Sequence, residues 1–401
     1  MKYIKLVALF LISLHVSNVF AYRIITPDIH ESMTRASKSC FDDAKNKKIA
    51  PSKCDTDIDK NIDVNVSWMH DSSLKMLDLK GRYLRIRGIT ATYPDLEDAV
   101  RWPDDPTHEL SLGAPKFSAK LLFKACNSYK KDDGSMNIDA GLICSSHFGD
   151  LQFLHAQASR VGEAAIDTHT KIIDWAEFLY NVAANKMNDA ALDQDYCEYF
   201  VKDTLFHKAM MPNESIKACI KVAGNKEKWK VASLFNITCS SPLPSAMKCS
   251  EWSGPSLYDK ARIQATGAIL HLIQDSYSQG HIKRGKCEIN KNKTAVIAKV
   301  ECMRIEQFTT YEGQYNHGDT DLNPIFKSSC KKDNTMNPVL AGALSLWYIN
   351  QGSEYKNFRD EVLYKVFGTP EDIKENAVES GLGACFEEEL DKNPYVDTDY
   401  D

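Results

Sequence analysis

The chain has 401 residues, of which 43% are hydrophobic and 26% charged, and its formal net charge is -6 at pH 7. This composition supports a real hydrophobic core and excludes a chain that is disordered by composition. The acidic balance argues against strong binding to a nucleic-acid backbone, because such binding depends on a surplus of Lys and Arg.

The amino terminus has the pattern of a secretory signal peptide. Lys2 and Lys5 precede an apolar run at residues 6–14, and the small residues that end at Ala21 provide a cleavage site. The run is too short to span a bilayer, and no later stretch reaches that length. We therefore predict a secreted mature protein that begins at Tyr22, lacks a transmembrane segment and carries two positive charges fewer than the whole chain.

All 12 cysteines lie after the predicted cleavage site. An even number of cysteines in an exported chain predicts disulfides that hold loops. No two of them are spaced as CxxC, which disfavours a zinc–thiolate site. Three pairs of neighbours could join locally, although spacing does not fix the connectivity. They are Cys40 and Cys54, Cys126 and Cys144, and Cys287 and Cys302.

The first predicted helix of the mature chain follows Asp28, a residue suited to cap it, and has His30 in its first turn. Met33, Thr34 and Ser37 share one side of this helix. A free amino terminus eight residues before a histidine could chelate a metal through its amine and carbonyl. Taken alone, His30 is equally an ordinary histidine at the start of a helix.

A second helix is predicted to end at residues 102–106, Trp-Pro-Asp-Asp-Pro. The two prolines hold Asp104 and Asp105 on a rigid turn. Residues 107–146 are interpreted as an insertion that carries two cysteines.

A helical stretch is predicted to open at Ser146 and to run, with a break, towards residue 184. His147 and His155 are eight residues apart and could share a face with Asp150. Within the amphipathic part of this stretch, we interpret His169 as a residue of the helix surface.

The most informative segment is residues 268–281. Its apolar run follows Pro255 and predicts a buried helix. His271 and Asp275 are four residues apart and project from one face, and beyond the stop at Gly280 the chain brings His281 back towards it. Such a group could bind zinc, whereas the alternative is a His and an Asp satisfied by the backbone.

The rest of the chain adds a second pair and two more helices. A short strand or hairpin edge is predicted at residues 296–300, and His317 and Asp321 are again four residues apart. Helices are predicted at residues 338–349 and 354–367. The chain has neither a Gly-rich phosphate loop nor a GxSxG motif.

In this order, the motifs resemble those of the superfamily of zinc-dependent phospholipases C and single-strand-specific zinc nucleases, most of all its bacterial exported phospholipases. The resemblance rests on Trp102-Pro-Asp104, on His147-Phe148, and on the spacing HxxxDxxxxxH that begins at His271. It implies an all-α, multi-helix domain with disulfide-stapled loop insertions at residues 22–325. A signal peptide at 1–21 precedes it, and residues 326–401 form a helical extension of the same domain or a small appended one.

The resemblance also implies three zinc ions. One would bind Asp104, His147, His271 and Asp275, and Asp275 would bridge to a second ion held by His30 and the amine and carbonyl of Tyr22. The third would bind His281, His317 and Asp321. Asp104 and Asp275 are the implied catalytic residues. Because the gap between Asp104 and His147 is longer than in the family, His155 remains an alternative to His147, and Asp105 remains one to Asp104.

The implied activity is that of a secreted, monomeric phospholipase C. It would hydrolyse phosphatidylcholine-type lipids at membrane or micelle surfaces to diacylglycerol and a phosphorylated headgroup, and no stable nucleic-acid complex is expected. Two alternatives remain open. Asp321 is more typical of the nucleases, since the phospholipases usually have Glu there, and a disulfide-rich secreted binding protein with structural histidines would need no zinc.

Overall fold

The part of the chain that the structure describes contains the central histidine motif and most of the candidate ligands. The computed structural model describes residues 29–54, 96–104, 126, 142–200, 204–210, 230–235, 255–278, 280–284, 288–289, 296–297, 304–311 and 336–382. The predicted signal peptide, Tyr22, Asp105, His317 and Asp321 lie outside these residues, so the predictions made for them stay predictions.

The described residues are mostly helical, with little strand, which confirms the predicted all-α class. None of the described helices combines the length and the apolar character that crossing a bilayer requires. In chain order the α-helices are α1 (Ile29–Lys47), α2 (Leu96–Arg101), α3 (Leu142–Phe148), α4 (Ala165–Ala183), α5 (Asp189–Leu192), α6 (Tyr196–Tyr199), α7 (Leu205–Met210), α8 (Pro255–Asp275), α9 (Pro338–Gln351), α10 (Tyr355–Phe358), α11 (Tyr364–Phe367) and α12 (Pro370–Asn376).

Shorter elements connect these helices. The strands β1 (Ile282–Lys283) and β4 (Gln307–Phe308) pair antiparallel with Ile282 opposite Phe308, and β2 (Glu288–Ile289) pairs with β3 (Val296–Ile297) in the same way. The second pair confirms the strand predicted near residue 296. Turns of 3-10 helix cover Gln152–His155 and Val231–Phe235, and a π-helical turn at Arg359–Leu363 joins α10 to α11.

The helix α8 lies at the centre of the fold. It packs against α1, α2, α4 and α9, and its apolar residues at 268–273 are buried. At Gly267 a side chain is excluded, because a Cβ atom there would lie 2.2 Å from the carbonyl carbon of Ala99 on α2. The backbones of α8 and α2 are therefore in direct contact next to the histidine motif.

Ion pairs and a disulfide hold α1 in place. The Arg101 guanidinium of α2 pairs with the buried Glu31 carboxylate of α1, and Arg35 donates to Glu97 at 2.8 Å. At the other end of α1, Cys40 forms a disulfide with Cys54. The helix that carries His30 is thus fixed to α2 near its start and to the following loop near its end.

The predicted local disulfides are confirmed at two of the three pairs. Besides the pair on α1, Cys126 joins Cys144 on α3, and the described residues include no free cysteine. Cys287 and Cys302 lie outside the described residues. Disulfides fit a protein of an oxidising compartment.

The carboxyl-terminal helices pack into the core built by α4 and α8. Phe358, Val362 and Phe367 are fully buried within it. Buried Arg284, which follows β1, donates to the carbonyls of Ser276 at 2.9 Å and Val366 at 2.6 Å. This arginine links the turn after α8 to α11. The predicted domain division at residue 325 lies outside the described residues and stays a prediction.

Candidate metal centre

The end of α8 supplies two side chains of the candidate site, as its spacing predicts. His271 and Asp275 are fully buried one turn apart, with His271 Nε2 at 2.9 Å from Asp275 Oδ2. Val100, at the end of α2, fixes the ring of His271 by accepting a hydrogen bond of 2.8 Å from Nδ1. The close contact of α8 with α2 therefore also orients this histidine.

Two side chains approach this pair from α1 and from the turn after α2. His30 stacks on His271 with ring centroids 4.1 Å apart, and its Nε2 lies 3.3 Å from Asp275 Oδ1. Asp104 is buried in the Trp-Pro-Asp turn, with Oδ1 at 3.5 Å from His271 Nε2 and Oδ2 at 3.7 Å from His30 Nε2. The Trp-Pro-Asp turn thus presents an inward carboxylate.

His147 and His155 both belong to the cluster. His147 ends α3, whereas His155 lies on the following 3-10 turn, where Ala156 adopts a left-handed φ of 58°. The two histidines therefore do not share a face of one helix, but the bend brings their rings to 4.6 Å. His155 Nδ1 lies 3.0 Å from His271 Nε2 and 3.1 Å from Asp275 Oδ2. Asp150 is exposed and lies apart from the site.

His281 completes the described cluster, folded back after α8 as predicted. Its Nδ1 donates to the carbonyl of His155 and lies 3.7 Å from Asp275 Oδ2. The backbone around it is held by Thr309, whose amide donates to the carbonyl of His281 at 3.0 Å. Gln157 donates to the carbonyl of Gly280 at 3.2 Å. The pairing of β1 with β4 therefore positions His281.

Six of the seven buried side chains form two groups that could hold a metal ion. In each group the three ligand atoms lie within 4.8 Å of one another. The groups are His30 with His271 and Asp275, and Asp104 with His147 and His155.

Burial keeps three histidines of this cluster neutral, namely His155, His271 and His281. It lowers the pKa of His155 and of His271 to about 4, against the opposing effect of Asp275. Burial also disfavours ionisation of Asp275, but the adjoining His271 and His281 and the hydrogen bond from His155 hold the pKa of this carboxyl well below its usual range. A carboxylate surrounded by neutral imidazoles is the state that metals bind.

The hydrogen bond to Val100 determines where the proton of His271 lies. A carbonyl oxygen only accepts, so neutral His271 carries its proton on Nδ1 and has a lone pair on Nε2. That lone pair faces the Asp275 carboxylate at 2.9 Å. Two acceptors at this distance repel each other unless a proton or a cation lies beside them, and His155 Nδ1 is close enough to donate to both, at 3.0 Å and 3.1 Å.

Two further atoms agree with a cation. Within the described part of the chain, His155 Nε2 and Asp275 Oδ1 are buried and have no hydrogen-bond partner. Buried polar atoms of this kind cost free energy unless a ligand satisfies them. Imidazole nitrogens and carboxylate oxygens are ligands that zinc accepts, so the residues present fit a zinc site.

No family model, no curated protein and no solved structure matches this chain.

Several features of the site were not predicted from the sequence. Gln274 is buried beside Asp275 and contacts His30 Nδ1 at 2.6 Å. The Val100 carbonyl and the Thr309 amide act through the backbone, which leaves no sequence signal. The interpretation of His169 as a surface residue is wrong, because this side chain is buried and donates to the carbonyl of Gly368 at 3.0 Å.

Proposed function

We propose that this protein is a secreted, zinc-dependent phosphodiesterase, and specifically a phospholipase C. The observation that carries the proposal is that His155 Nε2 and Asp275 Oδ1 are buried without a hydrogen-bond partner in the described part of the chain, inside a cluster of five histidines and two aspartates. An ordinary helix-end His and Asp, satisfied by the backbone, would not leave buried acceptors of this kind.

The described residues would hold the metal ions in two adjoining groups. Asp275 lies between His30 on one side and His155 and His271 on the other, which suits the bridging role that the resemblance implies. Asp104 faces the same space from the turn after α2. The resemblance adds Tyr22 to the group of His30, and His317 and Asp321 to His281. Zinc would supply Lewis acidity towards a phosphodiester and a nucleophile near neutral pH.

Burial and hydrogen bonds to backbone carbonyls hold side chains of the cluster in fixed orientations for this chemistry. His271 is oriented by the Val100 carbonyl and His281 by the carbonyl of His155, so no ring has to rotate when a substrate binds. His147 is the least buried residue of the cluster. Substrate would approach on this side, where Tyr311 and Phe148 meet edge to face at 5.0 Å.

A lipid substrate is preferred over nucleic acid for two reasons. The motifs most resemble those of the exported phospholipases, and an acidic protein suits a zwitterionic headgroup better than a polyanion. Asp321 is the residue that favours the nuclease alternative. The fold proposed for the domain is that of the same superfamily.

The test is phosphorus NMR on the mature protein with phosphatidylcholine vesicles and, separately, with single-stranded DNA. We expect release of phosphocholine, abolished by chelator and restored by zinc. Asp275→Asn should lower this activity by more than about 100-fold, since changes one layer outside a metal site already cost about 10–100-fold. Asp150→Asn, at an exposed aspartate outside the cluster, is the matched control and should retain full activity.

Each of the other outcomes would contradict a stated part of the proposed function. Chelator-sensitive release of nucleotides, without phosphocholine, would replace the phospholipase by the nuclease. Absence of both activities, together with absence of stoichiometric zinc, would contradict the metalloenzyme and favour a disulfide-rich binding protein. Full activity of Asp275→Asn would exclude the bridging role of this residue.

A further inference from the structure

Gln274 is a buried polar residue that the proposed chemistry does not use. It lies on α8 directly before Asp275 and is 1% exposed. Its Oε1 is 2.6 Å from His30 Nδ1, and its Nε2 donates to Thr34 Oγ1 at 3.0 Å. His30 and Thr34 are one turn apart on α1, so this single amide spans two residues of the neighbouring helix.

The hydrogen bond to Gln274 determines which nitrogen of His30 carries the proton. Because the amide nitrogen donates to Thr34, the amide oxygen faces His30 and can only accept. In its neutral form the ring therefore has its proton on Nδ1 and a lone pair on Nε2. Nε2 is the nitrogen that faces Asp275 Oδ1 at 3.3 Å and Asp104 Oδ2 at 3.7 Å.

Without Gln274, the ring would have the opposite preference. Two carboxylates near Nε2 attract a proton to that nitrogen, and a protonated nitrogen cannot bind a metal. The amide oxygen opposes this attraction from the other side of the ring. It also fixes the plane of the ring, which stacks on His271.

We infer that Gln274 is a positioning residue of the metal centre, which selects the Nδ1–H tautomer of His30 and thereby makes Nε2 available to zinc. This inference rests on the proposed metal-dependent function. Gln274 would act through His30 and would contact neither the substrate nor the metal.

Three variants of the full mature chain separate this role from packing. Gln274→Leu removes the acceptor at similar volume, whereas Gln274→Glu retains an oxygen that accepts from Nδ1. Gln264→Leu makes the same change at another buried glutamine of α8, outside the cluster, and is the matched control. The measured quantities are zinc equivalents for each chain and the zinc dissociation constant, by competition with a chelator.

We expect Gln274→Leu to weaken the binding of one zinc ion by about 10–100-fold, the usual effect of losing a partner of a ligating histidine. Gln274→Glu and Gln264→Leu should bind within a few-fold of the wild type. In a His30→Ala background, Gln274→Leu should cause no further loss, because its effect passes through that ring. Long-range nitrogen-15 NMR of labelled histidine should find the His30 proton on Nδ1 in the wild type.

The possible failures can be told apart. If the wild type binds no zinc, the proposed function and this inference both fail. If the wild type binds zinc and Gln274→Leu binds it equally well, only the role of Gln274 fails. The role also fails if Gln264→Leu is as weak as Gln274→Leu, if the His30→Ala background does not remove the effect, or if the proton lies on Nε2.

Discussion

His155, His169 and His271 experience the same physical effect with different consequences. Burial lowers the pKa of each to about 4, because desolvation penalises an imidazolium. His155 and His271 face the Asp275 carboxylate, where a neutral ring can bind a metal. His169 instead donates to a backbone carbonyl. It lies outside both candidate metal groups, so its titration should affect stability alone.

We predict that His169 makes the protein sensitive to acid. For His169, burial outweighs the hydrogen bond to Gly368 and the nearby Asp372 and Glu371. The unfolded chain takes up this proton below about pH 6.5 and the folded protein only below about pH 4, so stability falls as pH falls through that window. His169→Gln retains a donor without titrating and should recover up to about 3 kcal/mol of free energy of unfolding between pH 7 and pH 4, relative to the wild type.

Urea unfolding at a series of pH values measures this difference directly. Thr170→Ala, at the neighbouring half-buried residue, is the control and should change stability by the same amount at every pH. Parallel pH profiles of the wild type and His169→Gln would show that His169 is not the group that titrates.

The site was predictable where its chemistry follows from spacing along one helix. The interval between His271 and Asp275 places both on one face, and the structure confirms it. The choice between His147 and His155 was not predictable, because it depends on the turn at residues 149–151 that joins α3 to the 3-10 turn. The role of Gln274 was not predictable either, since its partner is 244 residues away.

Among the larger elements, the contact of α8 with α2 matters most for the site. Gly267 lets the two backbones touch, and α2 brings both the Val100 carbonyl and the turn that carries Asp104. A change in the spacing of these helices would therefore move one ligand and the orienting partner of another. The ion pairs of α1 with α2 extend this coupling to His30.

We predict that Gly267→Ala destabilises the fold and weakens the metal site together. The added Cβ would lie 2.2 Å from the Ala99 carbonyl carbon, a distance that forces the helices apart. Overpacking of this kind costs about 1–3 kcal/mol, measured by urea unfolding. Zinc affinity, measured with a competing chelator, should fall in the same variant. Thr266→Ala adds no volume and should retain the zinc affinity of the wild type. If Gly267→Ala were as stable as the wild type, α8 and α2 would not be in backbone contact.

The helices α8 and α9 were predictable from their apolar patterns and from Pro255 and Pro338 at their starts. The sequence predicted the segment between α3 and α4 only as a break in a helical stretch. The length of this segment depends on distant hydrogen-bond partners, because Ala158 donates to the carbonyl of Thr309 and Gly162 donates to the carbonyl of Ser380. Hydrogen bonds over such separations leave no periodic signal in the sequence.

At the scale of the whole molecule, the cluster connects segments that are far apart in the chain. His30, Asp104, His155 and His281 come from four different segments and meet around Asp275. In the unfolded chain these side chains are dispersed, so only the folded protein offers the complete site. Metal binding and folding should therefore be coupled.

We predict that the thermal stability of the protein rises with free zinc. Binding to the folded state alone adds about 1.4 kcal/mol for each ten-fold rise in zinc above the dissociation constant. Differential scanning calorimetry in zinc buffers should show the unfolding temperature rising over this range and falling when chelator is added. Asp275→Asn should lose most of this dependence, because it removes the carboxylate at the centre, whereas Asp150→Asn should retain it. If the unfolding temperature of the wild type did not change with zinc, the buried acceptors around Asp275 would have to be stabilised by protons instead, and the site would not be a metal centre.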